Sequence, residues 1–160
     1  MVFRESHNVV KETQRTILVV DDDPNEVELI GRAFRKAGFD SLIHSANNSE
    51  EAVQYLKGEG RFADRQQFPM PQLVVLDHKM PGSSEWEVLR WVRQQPKFDS
   101  LVIVIFSGSD DPNNEKMAYQ LGANAYHTKP QNFEDYAQVI KRIGEFWMMR
   151  SGLDSASERQ

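Results

Sequence analysis

Short apolar runs rich in β-branched residues alternate along the chain with longer segments in which apolar residues recur at helical spacing. Uninterrupted apolar runs are typical of strands buried on both faces of a parallel sheet, and the helical spacing is typical of helices that cover such a sheet. The pattern predicts five strands, at 16–20, 42–46, 73–76, 101–106 and 123–127. It also predicts five helices, the first at 24–37 and the last two at 112–121 and 133–149.

The residues that begin and end helices stand where this pattern expects them. Asp23 is a good N-cap, Pro24 is a good first helical residue, and Gly38 ends the segment that they begin. Ser84 and Glu87 have the spacing of a capping box at the start of the third helix. Either Asn48 or Ser49 is expected to cap the second helix.

The alternation of strands and helices predicts an α/β fold with a parallel sheet covered on both faces. Right-handed crossovers and the chain length favour a five-stranded doubly wound sheet of order 2-1-3-4-5 over a barrel, which needs eight units. We expect the domain to span 16–149, with an N-terminal arm at 1–15 and a polar C-terminal tail at 150–160. A long polar connection at 58–72 precedes the third strand, and such connections are often functional or mobile.

The composition excludes several classes of protein. The 160 residues include 19 Lys or Arg and 24 Asp or Glu, which gives a formal net charge of −5. This balance argues against nucleic acid or an anionic membrane as a partner, because both need a basic face. The absence of cysteine excludes disulfides, thiolate metal sites and cysteine nucleophiles. No apolar run approaches a membrane span and the N-terminus lacks the features of a signal peptide, so we expect a cytoplasmic protein.

Three carboxylates follow two strands that are neighbours in the predicted sheet. Asp21 and Asp22 come directly after the first strand, and Asp77 comes directly after the third. The carboxyl ends of these strands meet where the strand order reverses, which is the usual ligand site of such sheets. Because like charges repel, the cluster needs a cation, and an all-oxygen donor set favours a hard ion. We therefore predict a Mg²⁺ site, although these donors do not separate Mg²⁺ from Mn²⁺.

Two further polar residues reach the same edge of the sheet. Ser107 follows the fourth strand and Lys129 follows the fifth. A hydroxyl and an ammonium beside a carboxylate–metal site are the groups that a phosphoryl group needs. Asp77 is the best candidate for the nucleophile, because it ends a buried strand that faces both of them. The residues therefore predict phosphoryl transfer onto Asp77, followed by hydrolysis of the phosphoaspartate.

Four segments at these strand ends resemble the signature blocks of response-regulator receiver domains, the phosphoacceptor modules of two-component signalling. They are ILVVDDDP (17–24), VVLDHKMP (74–81), VIFSGSD (104–110) and AYHTKP (125–130). The blocks occur in the family's order, and the resemblance implies a flavodoxin-like receiver fold. Because no output domain follows, the chain resembles a free-standing receiver. Its long connection is similar to that of the small regulators that partner phytochrome kinases.

The resemblance also implies how the metal is held. Asp21 and Asp22 match the family's acidic pair, with Asp22 as the direct Mg²⁺ ligand. Asp77 matches the phosphoacceptor, which also binds the metal, and Lys79 matches the residue whose backbone carbonyl does so.

The switch residues are implied in the same way. Ser107 matches the switch hydroxyl, Tyr126 the switch aromatic and Lys129 the lysine that pairs with phosphate. The implied donor is a sensor histidine kinase, with a phytochrome-type kinase as the narrower expectation. Phosphorylation would remodel the face formed by the fourth helix, fifth strand and fifth helix, which would bind a downstream protein or a second copy as a homodimer. The chain would then be no enzyme, but a phosphoacceptor that promotes its own phosphorylation and dephosphorylation.

Two alternative functions remain open, and one position departs from the usual receiver pattern. A receiver-like adaptor would act by protein binding without phosphorylation, but such receivers typically lack the acceptor or the lysine, and Asp77 and Lys129 are both present. A phosphohydrolase with an aspartyl-phosphate intermediate usually carries a general-acid Asp where this chain has Lys79.

Glu85 stands where receivers commonly have glycine. If that position needs a positive φ, we expect strain there or a rebuilt loop.

Overall fold

Five parallel strands form a sheet of order 2-1-3-4-5, which confirms the predicted fold class. The structure, a computed structural model, describes residues 15–78 and 85–159, with side chains as far as Arg150. The strands are β1 (Thr16–Val20), β2 (Leu42–Ala46), β3 (Leu73–His78), β4 (Val102–Ser107) and β5 (Ala125–Thr128). The helices are α1 (Pro24–Lys36), α2 (Ser49–Lys57), α3 (Glu85–Arg93), α4 (Pro112–Gln120) and α5 (Phe133–Arg159).

Successive strand residues point to opposite faces of the sheet, and helices cover both faces. Leu18, Val74 and Ile103 pack in the core layer that includes α2, α3 and α4. Val19 and Val104 pack on the other face, in the layer that includes α1 and α5. Burial on both sides explains why the segments of β1, β3 and β4 contain uninterrupted apolar runs rather than alternating patterns.

The helix starts follow the capping residues in the sequence. Asp23 caps α1 by accepting a hydrogen bond from the backbone amide of Asn25, and Pro24 is the first helical residue. Asn48, rather than Ser49, caps α2. The capping box predicted at position 84 lies outside the described residues.

Two elements are longer than the apolar pattern predicted. β3 continues past 76 to His78, because Asp77 and His78 pair with Phe106 and Ser107 of β4. α5 continues past its predicted end at 149 to Arg159, and the residues that follow position 149 include no proline to stop it.

Among the described residues, no helix combines the length and the apolar character needed to cross a membrane.

The connection at 58–72 is anchored by aromatic residues rather than exposed throughout. Phe62 is fully buried, and its ring lies 4.9 Å from that of Tyr55 and 5.2 Å from that of Phe68, measured between centroids. Arg65 donates hydrogen bonds to the backbone carbonyls of Leu56 and Phe68. The expectation of a long polar connection overlooked these two phenylalanines, which fix the segment against α2.

One guanidinium joins the amino ends of β4 and β5 to α3. Arg93 donates hydrogen bonds to the carbonyls of Phe98, Leu101 and Gly122 and to the side-chain oxygen of Asn124, at distances of 2.8–3.0 Å. Gly122 has a φ of +104°, and a Cβ there would lie 2.6 Å from Arg93 Cγ. Glycine is therefore required by both the backbone conformation and the close approach of the arginine.

We expect Arg93→Met to lower the free energy of unfolding by about 2–4 kcal/mol, because it leaves several partly buried acceptors without their donor. The measurement is urea unfolding followed by circular dichroism. Arg90→Met is the matched control, since Arg90 is exposed on the same helix, and we expect a change within about 0.5 kcal/mol. Equal unfolding midpoints for the two variants would contradict this role of Arg93.

Candidate functional site

The carboxyl ends of β1, β3, β4 and β5 bring the predicted polar residues to one edge of the sheet. Asp21 follows β1 directly and Asp77 is the penultimate residue of β3, and each is only 4% exposed. Ser107 ends β4 and is fully buried. Lys129 follows β5, and its backbone amide donates a hydrogen bond to the Ser107 carbonyl. The structure therefore juxtaposes residues from four separate strands.

The Lys129 ammonium lies among three carboxylates. Its Nζ is 2.6 Å from Asp77 Oδ1, 2.7 Å from Glu26 Oε1 and 3.9 Å from Asp21 Oδ2. Burial by itself lowers the pKa of Lys129, but the hydrogen bonds to Asp77 and Glu26 outweigh it and the pKa is raised. A raised folded-state pKa means that these contacts stabilise the fold below the ordinary lysine value, and that this contribution is lost as the pH rises through the folded value.

Glu26 is a site residue that the sequence analysis missed. It lies in the first turn of α1, where an acidic residue is usually interpreted as a favourable partner of the helix dipole. Its Oε1 also accepts a hydrogen bond of 3.0 Å from the hydroxyl of Tyr136 on α5. Burial, followed by the negative charge of Glu26, raises the pKa of Tyr136. Glu26 therefore connects Lys129 to the last helix.

Two cavities open on either side of Asp77. One, of about 140 Å³, is lined by Asp21, Asp22, Asp77 and Glu85, together with Asn47 and Asn48. The other is an open cleft of about 380 Å³, lined by Asp77, His78, Gly108, Ser109 and Lys129. Asp77 thus borders an acidic cavity on one side and a cleft that contains the lysine on the other.

The donors of the acidic cavity suit a hard divalent cation in type, since all of them are oxygens. Asp21, Asp22 and Asp77 would hold it, and one Asp21 oxygen already accepts a hydrogen bond of 2.9 Å from the Asp23 amide. In the part of the chain that the structure describes, no three His, Asp or Glu side chains stand ready in the arrangement of a metal site. Lys79, whose carbonyl was also predicted as a ligand, lies outside the described residues.

Glu85 adds a fourth carboxylate to this cavity. It is the first residue of α3, and no non-glycine residue in the described ranges has a positive φ. The condition for the expected strain or rebuilt loop is therefore not met at Glu85, because the chain has already entered the helix there. One Glu85 carboxylate oxygen is buried and has no hydrogen-bond partner among the residues that the structure describes, and it lies next to the other acidic residues.

Ser107 and Tyr126 both contact the loop that follows β4. Ser107 Oγ donates a hydrogen bond of 2.8 Å to the His78 carbonyl and accepts one of 3.1 Å from the Ser109 amide. The hydroxyl of Tyr126 donates a hydrogen bond of 2.7 Å to the Ser109 carbonyl. The His78 ring packs on Trp86, with centroids 4.2 Å apart. Ser109, which the sequence analysis did not single out, is the residue that both predicted switch side chains bind.

The parallel sheet of order 2-1-3-4-5, with acidic residues, a hydroxyl and a lysine at its carboxyl edge, defines a flavodoxin-like α/β domain with a polar site at that edge. Residues 17–141 match the sequence profile of the response regulator receiver domain. The chain therefore belongs to the response regulator receiver family. As a family, receiver domains bind Mg²⁺ or Mn²⁺ at their acidic pocket.

Three response regulators illustrate the similarity. The first is response regulator RPA3017, which is described as acting in red light signaling of R. palustris and shares 33% sequence identity with this chain. Its crystal structure has a TM-score of 0.77, and the match covers 84% of this chain and 94% of RPA3017. The phosphorylated cyanobacterial phytochrome response regulator RcpA is 28% identical, with a TM-score of 0.75 over 85% and 95% of the two chains.

The third relative is response regulator Rcp1 of Synechocystis sp.. It is 25% identical over 142 residues, which cover 89% of this chain and 95% of Rcp1. The structure of the Mn²⁺-bound form of Rcp1 has a TM-score of 0.71 and covers 83% of this chain and 94% of that one. This chain is thus similar to three response regulators over nearly their whole lengths.

We expect Glu85→Gln to raise the free energy of unfolding of the metal-free protein by about 0.5–1 kcal/mol, because one of several neighbouring negative charges is removed. The same change should weaken Mg²⁺ binding about threefold to tenfold. Chemical denaturation with and without Mg²⁺, and calorimetric titration with the ion, measure the two effects. Glu87→Gln is the control, since Glu87 is exposed on the same helix. Equal Mg²⁺ affinities of the two variants would show that Glu85 does not contribute to the cavity's charge.

Proposed function

We propose that residues 16–149 form a receiver domain that accepts a phosphoryl group from a sensor histidine kinase on Asp77, in a Mg²⁺-dependent reaction. The observation that carries this proposal is the environment of Asp77. Its carboxylate is buried at a strand end, lies 2.6 Å from the Lys129 ammonium and borders an oxygen-lined cavity. The flanking segments at 1–15 and 150–160 are proposed as an arm and a tail outside the domain, and α5 continues into the tail as far as Arg159.

The phosphoryl transfer proposed here uses the carboxylate of Asp77 as the nucleophile. An Asp77 oxygen forms a bond to phosphorus as the P–N bond of the kinase phosphohistidine breaks, and the imidazole leaves. Asp21, Asp22, Asp77 and the Lys79 carbonyl would hold Mg²⁺ or Mn²⁺, which when bound supplies positive charge to the phosphoryl oxygens. Lys129 would offset the remaining charge from the cleft on the other side of Asp77.

The switch proposed here begins with the charge of the phosphoryl group, about −1.5 to −2 at neutral pH. This charge attracts the hydroxyl of Ser107, which must then exchange its hydrogen bond to the His78 carbonyl for one to the phosphoryl group. The same loop binds the hydroxyl of Tyr126 through the Ser109 carbonyl. A shift of the loop therefore changes the position of Tyr126 and with it the face formed by α4, β5 and α5.

The kinase partner proposed here is of the phytochrome type, in the cytoplasm. RPA3017 is described as acting in red light signaling, and RcpA is described as a phytochrome response regulator in its phosphorylated form. The output would be the binding of a downstream protein or of a second copy of the chain, without nucleic acid or membrane. The chain would serve as a phosphoacceptor that promotes its own phosphorylation and dephosphorylation, rather than as an enzyme on other substrates.

We expect incubation with acetyl phosphate and Mg²⁺ to add one phosphoryl group to the protein, as measured by intact-protein mass spectrometry after rapid quenching. Asp77→Asn should remove the adduct, and omission of Mg²⁺ should reduce it strongly. Asp99→Asn is the control, since Asp99 is exposed at the opposite end of the sheet, just before β4, and should be phosphorylated normally.

An adduct that persists in Asp77→Asn would place the acceptor elsewhere. No adduct under any of these conditions would favour the alternative, a receiver-like adaptor that acts by protein binding without phosphorylation. Replacing Mg²⁺ by Mn²⁺ in the same assay shows whether the site distinguishes the two ions.

A further inference from the structure

The contact between Lys129 and Glu26 is as short as the contact between Lys129 and Asp77. The two carboxylate oxygens lie 2.7 and 2.6 Å from the same ammonium nitrogen. Both side chains of the Lys129–Glu26 pair are largely buried, with 18% and 19% of their surfaces exposed. A lysine ammonium has three N–H groups in all, so two of them are directed to these carboxylates. Glu26 is thus a full partner of the lysine in the unphosphorylated protein.

Phosphorylation of Asp77 changes what this lysine must neutralise. The phosphoryl group brings new negative charge to Asp77, while Glu26 keeps its own charge beside the same ammonium. Each carboxylate that stays in contact with the Lys129 ammonium reduces the positive charge available to the phosphoryl oxygens. Glu26 would also repel a phosphoryl group on Asp77 directly, because Glu26 and Asp77 contact the same ammonium and charges in a partly buried site are poorly screened.

Tyr136 acts on the same oxygen of Glu26. Its hydroxyl donates a hydrogen bond of 3.0 Å to Glu26 Oε1, the atom that contacts Lys129. The Tyr136 hydroxyl and the Lys129 ammonium therefore share one acceptor atom. Each donor weakens the interaction of that oxygen with the other donor. Tyr136 itself is fixed by its burial and by its edge-to-face contact with Phe106 of β4, at 5.0 Å between ring centroids.

We propose that Glu26 is a positioning residue that competes with the phosphoryl group for the Lys129 ammonium, and that Tyr136 moderates this competition from α5. Glu26 lowers the affinity of the site for a phosphoryl group, and Tyr136 limits how far it does so. The inference rests on the proposed function, because it concerns how strongly the phosphoryl group on Asp77 is held.

The test is a calorimetric titration with beryllofluoride, a phosphoryl mimic, on the full chain with Mg²⁺ at a saturating concentration. Glu26→Gln keeps the shape and the hydrogen-bonding oxygen but removes the charge, and should bind the mimic about threefold to tenfold more tightly. Tyr136→Phe keeps the ring but leaves Glu26 Oε1 entirely to Lys129, and should bind it about twofold to threefold more weakly. Opposite changes from two partners of one hydrogen bond would not arise from general damage to the fold.

Glu28→Gln is the matched control, since Glu28 is exposed on the same helix and its removal changes the net charge equally. It should leave the affinity for the mimic unchanged, and the effect of Glu26→Gln should persist at high salt, where long-range fields are screened. Unchanged or weaker binding by Glu26→Gln would overturn the inference. If the unsubstituted chain fails to bind the mimic with Mg²⁺, the proposed function itself fails, so the two failures are distinguishable.

Discussion

The Lys129 ammonium, held among buried carboxylates, is the interaction on which the rest of the site depends. A sheet whose two faces are both covered by helices leaves its strand ends as the place for polar residues, so Asp21 and Asp77 meet there with little exposure to water. Buried like charges require a nearby cation. Lys129 supplies it because β5 lies beside β4 in the sheet. Any chemistry at Asp77 therefore begins with a redistribution of the contacts of this lysine.

The fold could be predicted because it follows from signals that are local in the sequence. Uninterrupted apolar runs mark β1, β3 and β4, and both β1 and the more polar β2 have the predicted bounds. The strand order follows from general rules of handedness and chain length. The end of β3 could not be predicted, because Asp77 and His78 are polar and become strand residues only by pairing with β4, far along the chain. Likewise, nothing in its immediate neighbourhood shows that Phe62 inserts into the core.

The site residues that could be predicted from the sequence are those that stand at the end of a strand. Asp21, Asp77 and Lys129 are found in this way, because the carboxyl ends of parallel strands share one edge. Glu26 and Glu85 lie on helices, and helical periodicity does not reveal which distant side chain the tip of a glutamate reaches. Their contribution depends on how α1 and α3 are packed against the sheet, which is a tertiary property.

The hydrogen bonds made by Arg93 bear on the proposed switch. The guanidinium fixes the residues just before β4 and β5 to the end of α3, at the edge of the sheet opposite Asp77. Both strands are therefore fixed to α3 at their amino ends, whereas at their carboxyl ends Ser107 and Lys129 join them to β3 and to each other. The proposed switch exchanges contacts only at the carboxyl ends, so the loop beside Tyr126 can move while the residues that Arg93 holds keep their places.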